Sequence, residues 1–370
     1  MKLSALIAFS ALGMIVLFAC APPPPQHKLV FSPPANTVAC ASQFWNGVHY
    51  LQAENPPFID PSKGPKNGFA SSPPPDSTPI DRSSHIGQDL QNAFAIAPPF
   101  FKAELCNSSQ FGITGIYVDP TICPSSQVPA MCGSWAWGYR SFSNGQILGR
   151  YIGIPEGLWQ VGAAPTLDDF LTARLRAFLT AVQPNSERQR SPPSWISGLN
   201  YKASLSDPND SSAMTVLAIS AHEAAYALWY DAFVSPPGGL FKQDFCGGFY
   251  PAGSWSRNIA APPNGWLGFA QANGTITFQR TAFPPTSLQD LKDFVKDPDV
   301  ADALTGLSPN EDFAATFQLY ALLNAKDANG NTLLTSLRLN FGDGTYYDIV
   351  QDLPNKGPLS MKMTCFKPSD

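Results

Sequence analysis

The stretch Ala221-His222-Glu223-Ala224-Ala225-Tyr226-Ala227-Leu228 decides how this chain is read. A helix carrying H-E-x-x-H sets two imidazoles one turn apart on one face. Together they hold a metal, and the glutamate between them takes a proton from metal-bound water. Here the histidine and glutamate stand at 222 and 223, and Tyr226 takes the second histidine's place. The flanking sequence predicts a helix over 211–233. Ser211 and Ser212 can cap it, and Met214, Leu217, Ala221, Ala224, Ala225 and Leu228 repeat at helical spacing. His222 and Tyr226 are four apart and share a face. Trp229 and Phe233 indicate a largely buried helix, and Ala224 and Ala225 leave room for a close neighbour.

A second stretch, Ser308-Pro309-Asn310-Glu311-Asp312-Phe313-Ala314-Ala315-Thr316-Phe317, opens another helix that runs to about Asn324. Ser308 as N-cap, Pro309 at the first helical position and Glu311 three residues after the cap form a capping box. Glu311 has a second reading as a metal ligand. The two stretches together resemble the gluzincin metallopeptidases, in particular members whose glutamate helix reads N-E-x-F-A-E-x-F. The resemblance covers about residues 145 to 325, with the specific matches confined to the two helices. It implies that His222 and Glu311 ligate zinc and that Glu223 is the catalytic base. The sequence departs from that pattern at Tyr226, at Ala225 (usually Gly) and at Ala315, where the second glutamate of the pattern stands.

Tyr226 changes the ligand chemistry. Neutral imidazole binds zinc without losing a proton, whereas a phenol, with a pKa of about 10, must be stripped of one. His222 and Glu311 alone are two protein ligands where catalytic zinc has about three. Zinc binding is therefore expected to be weak or absent. Three readings stand: a relic site on a fold kept for binding, an unusual site completed by Tyr226 or a distant histidine, or an ordinary core histidine and cap glutamate. Among the other histidines, His27 falls in a tether and His85 at a helix start. His49, among Phe44, Trp45 and Tyr50, is the best substitute ligand.

The N-terminus bears on location. Met1-Lys2 is followed by an apolar run to Phe18, then Ala19-Cys20-Ala21 and four prolines. The run is near the short limit for a membrane span, and its small-residue ending marks a secretory signal. Leu17-Phe18-Ala19-Cys20 also resembles a bacterial lipobox, which implies lipidation of Cys20 and a cell-envelope lipoprotein anchored outside the cytoplasm. The Pro-rich stretch that follows would hold the domain off the membrane. Of seven cysteines, Cys20 is then spent on lipid. Cys40, Cys106, Cys123, Cys132, Cys246 and Cys365 remain, an even number in an exported chain and so disulfide candidates. Their pairing does not follow from spacing, although Cys123 and Cys132 could close a local loop. No C-x-x-C pair is present, which argues against a zinc ribbon.

Charged residues are only 14% of the chain, the net charge is −5 and no basic run exists, so nucleic acid is not an expected partner. The 37 prolines and 28 glycines signal long stiffened loops rather than disorder, because aromatics reach 12%. The layout read from the sequence is a signal peptide over 1–19, a Pro-rich tether over 20–38, a loop-rich part over 39–144 and the metallopeptidase-like domain over 145–370. Helices are expected at 84–96, 166–183 and 287–296, with strands at 111–118, 147–154 and 275–281. Arg174 and Arg176 read as solvated or snorkelling, and 332–370 as mixed strand and loop. The three sequons at Asn107, Asn209 and Asn273 are chance matches if Cys20 is lipidated. The fold expected is α+β: a zincin-like domain with buried motif helices, a small mixed sheet and long Pro/Gly-rich loops. The function expected is a catalytically impaired or inactive metallopeptidase-like lipoprotein whose cleft binds peptide, protein or envelope polymer. Two alternatives stand beside it, an active zinc peptidase with an unusual ligand set and a structural or interaction lipoprotein unrelated to peptidases.

Overall fold

The computed structural model describes residues 34, 36–51, 69–70, 77–108, 111–120, 132, 136–143, 146–183, 193–233, 249–250, 255–258, 269–271, 274–280 and 283–367. The signal reading, Cys20, Cys123 and Cys246 lie outside them; of the 20–38 tether only residues 34 and 36–38 are described, and its end is corrected because Thr37 and Val38 already belong to a helix. In chain order the elements are α1 (Thr37–Asn46), β1 (Val48–Leu51), β2 (Phe69–Ala70), β3 (Ser77–Pro79), α2 (His85–Ile96) and α3 (Pro99–Leu105). There follow β4 (Gly115–Asp119), β5 (Trp137–Ser143), β6 (Gln146–Pro155), α4 (Leu167–Val182), α5 (Ser194–Gly198), β7 (Asn200–Leu205) and α6 (Ser211–Phe233). The chain continues through β8 (Trp255–Asn258), β9 (Phe269–Gln271), β10 (Gly274–Arg280), α7 (Leu288–Lys296) and α8 (Pro309–Leu323). It closes with β11 (Leu334–Asn340), β12 (Tyr346–Asp348), α9 (Ile349–Asp352) and α10 (Gly357–Thr364). The class is mixed α+β.

The helix α6 is apolar on nearly every side. Met214, Val216, Leu217, Ala218, Ile219, Ala221, Ala224, Ala225, Leu228 and Trp229 are all buried. Such a helix belongs inside a core rather than on its surface. Each large side chain fully buried there contributes about 1.5–3 kcal/mol. One side packs on β5 and β6, another on α2 and another on α8. The alanines let neighbours come close. Gly138 of β5 lies so near Glu223 that an added Cβ would overlap the Glu223 carbonyl oxygen.

The main sheet is mixed, in the order β2-β5-β6-β4-β1-β3. Strands β1, β4 and β6 run parallel, and β5 and β3 are antiparallel to β6 and β1. Its buried face carries Val48, Ile116, Val118, Ile152 and Ile154 toward the helices. The β5–β6 pairing spans residue 145, so the sheet takes strands from both sides of that sequence boundary. A three-stranded antiparallel sheet, β12-β11-β7, lies apart from it and packs on α4.

Several local expectations are corrected. The start of the part read as loop-rich, 39–144, lies within α1, capped by Asn36 and held by Cys40 and Phe44 in the core. The Cys40–Cys106 disulfide ties it to the end of α3. Ser211 and Ser212 do not cap α6. Asp207 caps a 3-10 turn at Pro208–Asp210 that runs straight into the helix, which frees the two hydroxyls. Ser211 Oγ accepts from Leu167 N, and Ser212 Oγ donates to Ala164 O, so both fasten α6 to the entry of α4. The strand expected at 111–118 begins only at Gly115. The tail, read as strand and loop, ends in α9 and α10, and its Lys356 and Lys362 are buried. Lys356 Nζ donates to Val295 O, Asp297 O and Val300 O, and Lys362 Nζ is paired with Asp312. Among the described residues no helix is long and apolar enough to cross a membrane.

Candidate functional site

Helices α6 and α8 are packed against each other, and their contact brings the two sequence stretches together. Trp229 of α6 donates its indole N–H to the Tyr250 hydroxyl at 2.9 Å, and that hydroxyl donates to Pro309 O at 2.6 Å. This relay sets the height of α8 against α6. A buried ion pair between Lys362 and Asp312, with both oxygens at 2.8 Å, fixes the first turn of α8 from the far side. Removing one partner of such a pair is strongly destabilising, which suits an anchor.

Glu311 comes off that first turn. Ser308 Oγ accepts from Glu311 N at 3.3 Å, but the Glu311 carboxylate does not return to the cap residue. Only half of the expected capping box forms, whereas Ser287 and Asp290 complete both halves of one on α7. The Glu311 carboxylate turns to α6 instead. The Tyr226 hydroxyl donates to Glu311 Oε1 through a short hydrogen bond. His222 Nε2 lies 3.1 Å from the same hydroxyl and 3.3 Å from Glu311 Oε2. The rings of His222 and Tyr226 meet edge to face at 5.1 Å. His222, Glu223 and Glu311 are 4%, 6% and 8% exposed.

The protonation pattern follows from burial and charge. Burial, then the negative charge of Glu311, push the Glu223 carboxyl well above the usual carboxylate range, with Arg174 opposing. Burial also pushes the Tyr226 phenol up, and Glu311 and Glu223 push it further, so the phenol keeps its proton. At Glu311 burial again pushes upward, but hydrogen bonds from His222 and Tyr226 and the charge of Arg174 outweigh it and hold the carboxyl low. Glu311 is thus the ionised member and Glu223 the one held toward the acid form.

Whether zinc suits these donors can be judged from their contacts. Zinc bonds of 2.0–2.1 Å to nitrogen and oxygen give tetrahedral edges of about 3.3 Å. The two His222 distances have that length. The Tyr226–Glu311 contact does not: it is a hydrogen bond through a proton that zinc would have to expel. His222 Nδ1 and Glu223 Oε2 have no hydrogen-bond partner among the described residues, so the outer support that normally orients a metal-bound histidine is not found there. Among the described residues no group of three His, Cys, Asp or Glu side chains is placed to hold a metal. The donor set of one imidazole, one carboxylate and one protonated phenol does not fit catalytic zinc.

Of the residues singled out from sequence, His222, Glu223, Tyr226 and Glu311 come together. His49 is not brought into this group: its Nε2 bonds Asn46 O at 2.9 Å and its ring faces Tyr117. Ala315 sits one turn beyond Glu311 on α8. Cys132 and Cys365 are disulfide-bonded, as are Cys40 and Cys106. Arg174 is corrected from solvated to buried: Nη1 donates to Gln318 Oε1 at 2.8 Å and Nη2 to Asp302 Oδ2 at 3.2 Å. Arg176 is bound through Nε to Leu199 O. The signal for Arg174 was its place on the apolar stripe of α4, between Leu171 and Leu175, where a cation needs a buried partner. Nothing in the sequence pointed to Lys362.

No protein-family model matches the chain, and no curated protein or solved structure matches it either.

Proposed function

We propose that this chain is an exported lipoprotein, anchored through Cys20, whose gluzincin-like domain has exchanged its metal for a tyrosine. One observation carries the reading. The Tyr226 hydroxyl hydrogen-bonds both His222 and Glu311, at the position where a metal would join those two residues. The Tyr226 hydroxyl thereby occupies the polar faces of His222 and Glu311 that would otherwise take a metal, and the domain acts as a metal-independent binding module rather than a competent peptidase. The class of ligand, an extended peptide or an envelope polymer, comes from the gluzincin-like motifs and the export signal. The zincin-like fold belongs to the same proposal. Its support is the convergence of the H-E helix and the glutamate helix beside a mixed sheet.

A second reading has one observation in its favour. The two zinc-like distances around His222 fit an unusual site in which Tyr226 is the third ligand. Metal analysis of purified protein separates the two. The first reading requires no stoichiometric zinc after equilibration with the metal and a single desalting step, and the second requires about one equivalent. A chain with no metal affinity that also gains none when residue 226 becomes histidine would instead be a structural or interaction lipoprotein.

A further inference from the structure

Lys362 of α10 meets two carboxyl groups inside the core. Lys362 is 1% exposed, Asp312 0% and Asp299 5%. Its Nζ is 2.8 Å from both Oδ1 and Oδ2 of Asp312, in the first turn of α8, and 3.7 Å from Asp299 Oδ2, just past α7. The same nitrogen donates to Asp299 O at 2.9 Å. The Phe249 ring stands 5.4 Å from Nζ and meets the rings of Phe313 and Phe366.

Holding charges in such a place is costly. Burial strips both groups of their hydration, and that loss can exceed the gain from their attraction. A neutral bond between the same atoms would remove the cost and keep the contact.

The atoms are placed to form one. Equal distances to the two oxygens put the Asp312 carboxyl carbon within about 3.5 Å of Nζ, the range of a near-attack contact. Packing holds the amine and the carboxyl together, so their reaction pays no cost of encounter. Condensation also needs a group to move a proton from nitrogen to the leaving oxygen. Asp299 is the farther carboxyl from Nζ, which suits it to carry the proton rather than to be the partner.

We propose that Lys362 and Asp312 condense to a side-chain amide that cross-links α10 to α8. A proton first passes from Nζ to Asp312, giving an amine and a carboxylic acid. The nitrogen lone pair attacks Cγ, and the new N–C bond makes a tetrahedral centre. The Asp299 carboxylate takes a proton from the nitrogen and passes it to the Asp312 hydroxyl. The C–O bond breaks, one water leaves and the carbonyl re-forms. The balance needs no oxidant. The N–H of the product keeps Asp299 O as its acceptor. The link locks the turn that carries Glu311, and it forms independently of the metal question at His222.

The test is tandem mass spectrometry of the mature chain after reduction, alkylation and tryptic digestion. A branched peptide joining the Asp312 and Lys362 segments is expected, lighter than the two separate peptides by one water. Cleavage after Lys362 should be lost with it. Lys362→Arg keeps the cation but cannot form the amide, and should return two separate peptides of full mass. Asp299→Asn should leave Lys362 and Asp312 unlinked in a chain whose circular dichroism matches the wild type. Separate, full-mass peptides from the wild type overturn the proposal, and that result depends on no variant folding. A branched peptide from Asp299→Asn in wild-type yield overturns the part given to Asp299.

Discussion

Tyr226 of α6 donates its hydroxyl to Glu311 of α8, 85 residues further along the sequence, and so joins the two helices through one short side-chain contact. The same oxygen stands 3.1 Å from His222 Nε2, so one phenol is the hub of the site. The hub has a stability consequence. Tyr226→Phe keeps the ring and removes the oxygen, leaving Glu311 Oε1 buried without its donor. The loss should be about 1–3 kcal/mol, read as a lower urea midpoint at unchanged slope. An unchanged midpoint would mean that the contact contributes nothing to the folded state.

Glu223 and Glu311 should titrate in opposite senses. The Glu223 value is raised in the fold, first by burial and then by Glu311. Its contribution is therefore fully present below the usual carboxylate range and is lost as pH rises through the raised value. The Glu311 value is lowered, so its contribution is present above the usual range and is lost as pH falls through the lowered value. Glu223→Gln mimics the protonated acid and should remove the alkaline loss. Melting curves at a series of pH values should show the variant gaining over wild type toward alkaline pH and converging with it in acid. A gain confined to acid pH would contradict the assignment.

The packing of β5 on α6 depends on Gly138. A Cβ there collides with the Glu223 backbone, which cannot yield without moving the helix. Gly138→Ala should cost about 1–3 kcal/mol or more, as overpacking does. Gly357→Ala, where a Cβ meets nothing within 4 Å, should stay within about 0.5 kcal/mol. Thermal melts of the two variants compare them directly, and equal shifts would refute the packing argument.

Export predicts oxidised cysteines. Cys40, Cys106, Cys132 and Cys365 are in disulfides. Thiol labelling of denatured, unreduced protein should find few free groups, and four or more would defeat the export argument. Mass spectrometry of the mature N-terminus should find lipidated Cys20 as its first residue. A soluble product starting elsewhere would remove the anchor from the account.

Much of the helical skeleton was legible because its signals are local. The caps at Ser84, Thr166 and Ser287 and the apolar spacing of α4 and α6 appear in the structure as read. The α1 helix escaped because TVACASQFWN is short and rich in residues of modest helix propensity, and its stability comes from Cys40 and Phe44 in the core. The four site residues were legible from motif spacing, but the partners of Glu311 were not. A capping box and a cross-helix hydrogen bond begin with the same Ser-x-x-Glu pattern, and only the position of α6 chooses between them. Lys356, Lys362 and Arg174 were misread or missed for a related reason: backbone carbonyls and carboxylates distant in sequence make their burial tolerable.

Zinc titration of the wild type against Tyr226→His tests the central claim most directly. An imidazole at 226 offers a nitrogen lone pair where the phenol offers a held proton, one turn from His222 and facing Glu311. The wild type should bind zinc weakly or not at all, and the variant should bind it tighter by orders of magnitude. Glu223→Ala in the variant should leave that affinity largely intact, because Glu223 is no ligand. Peptidase activity need not return with the metal, since Ala315 also departs from the gluzincin pattern. A folded Tyr226→His protein with no gain in zinc affinity would contradict the account and return His222 and Glu311 to plain structural roles.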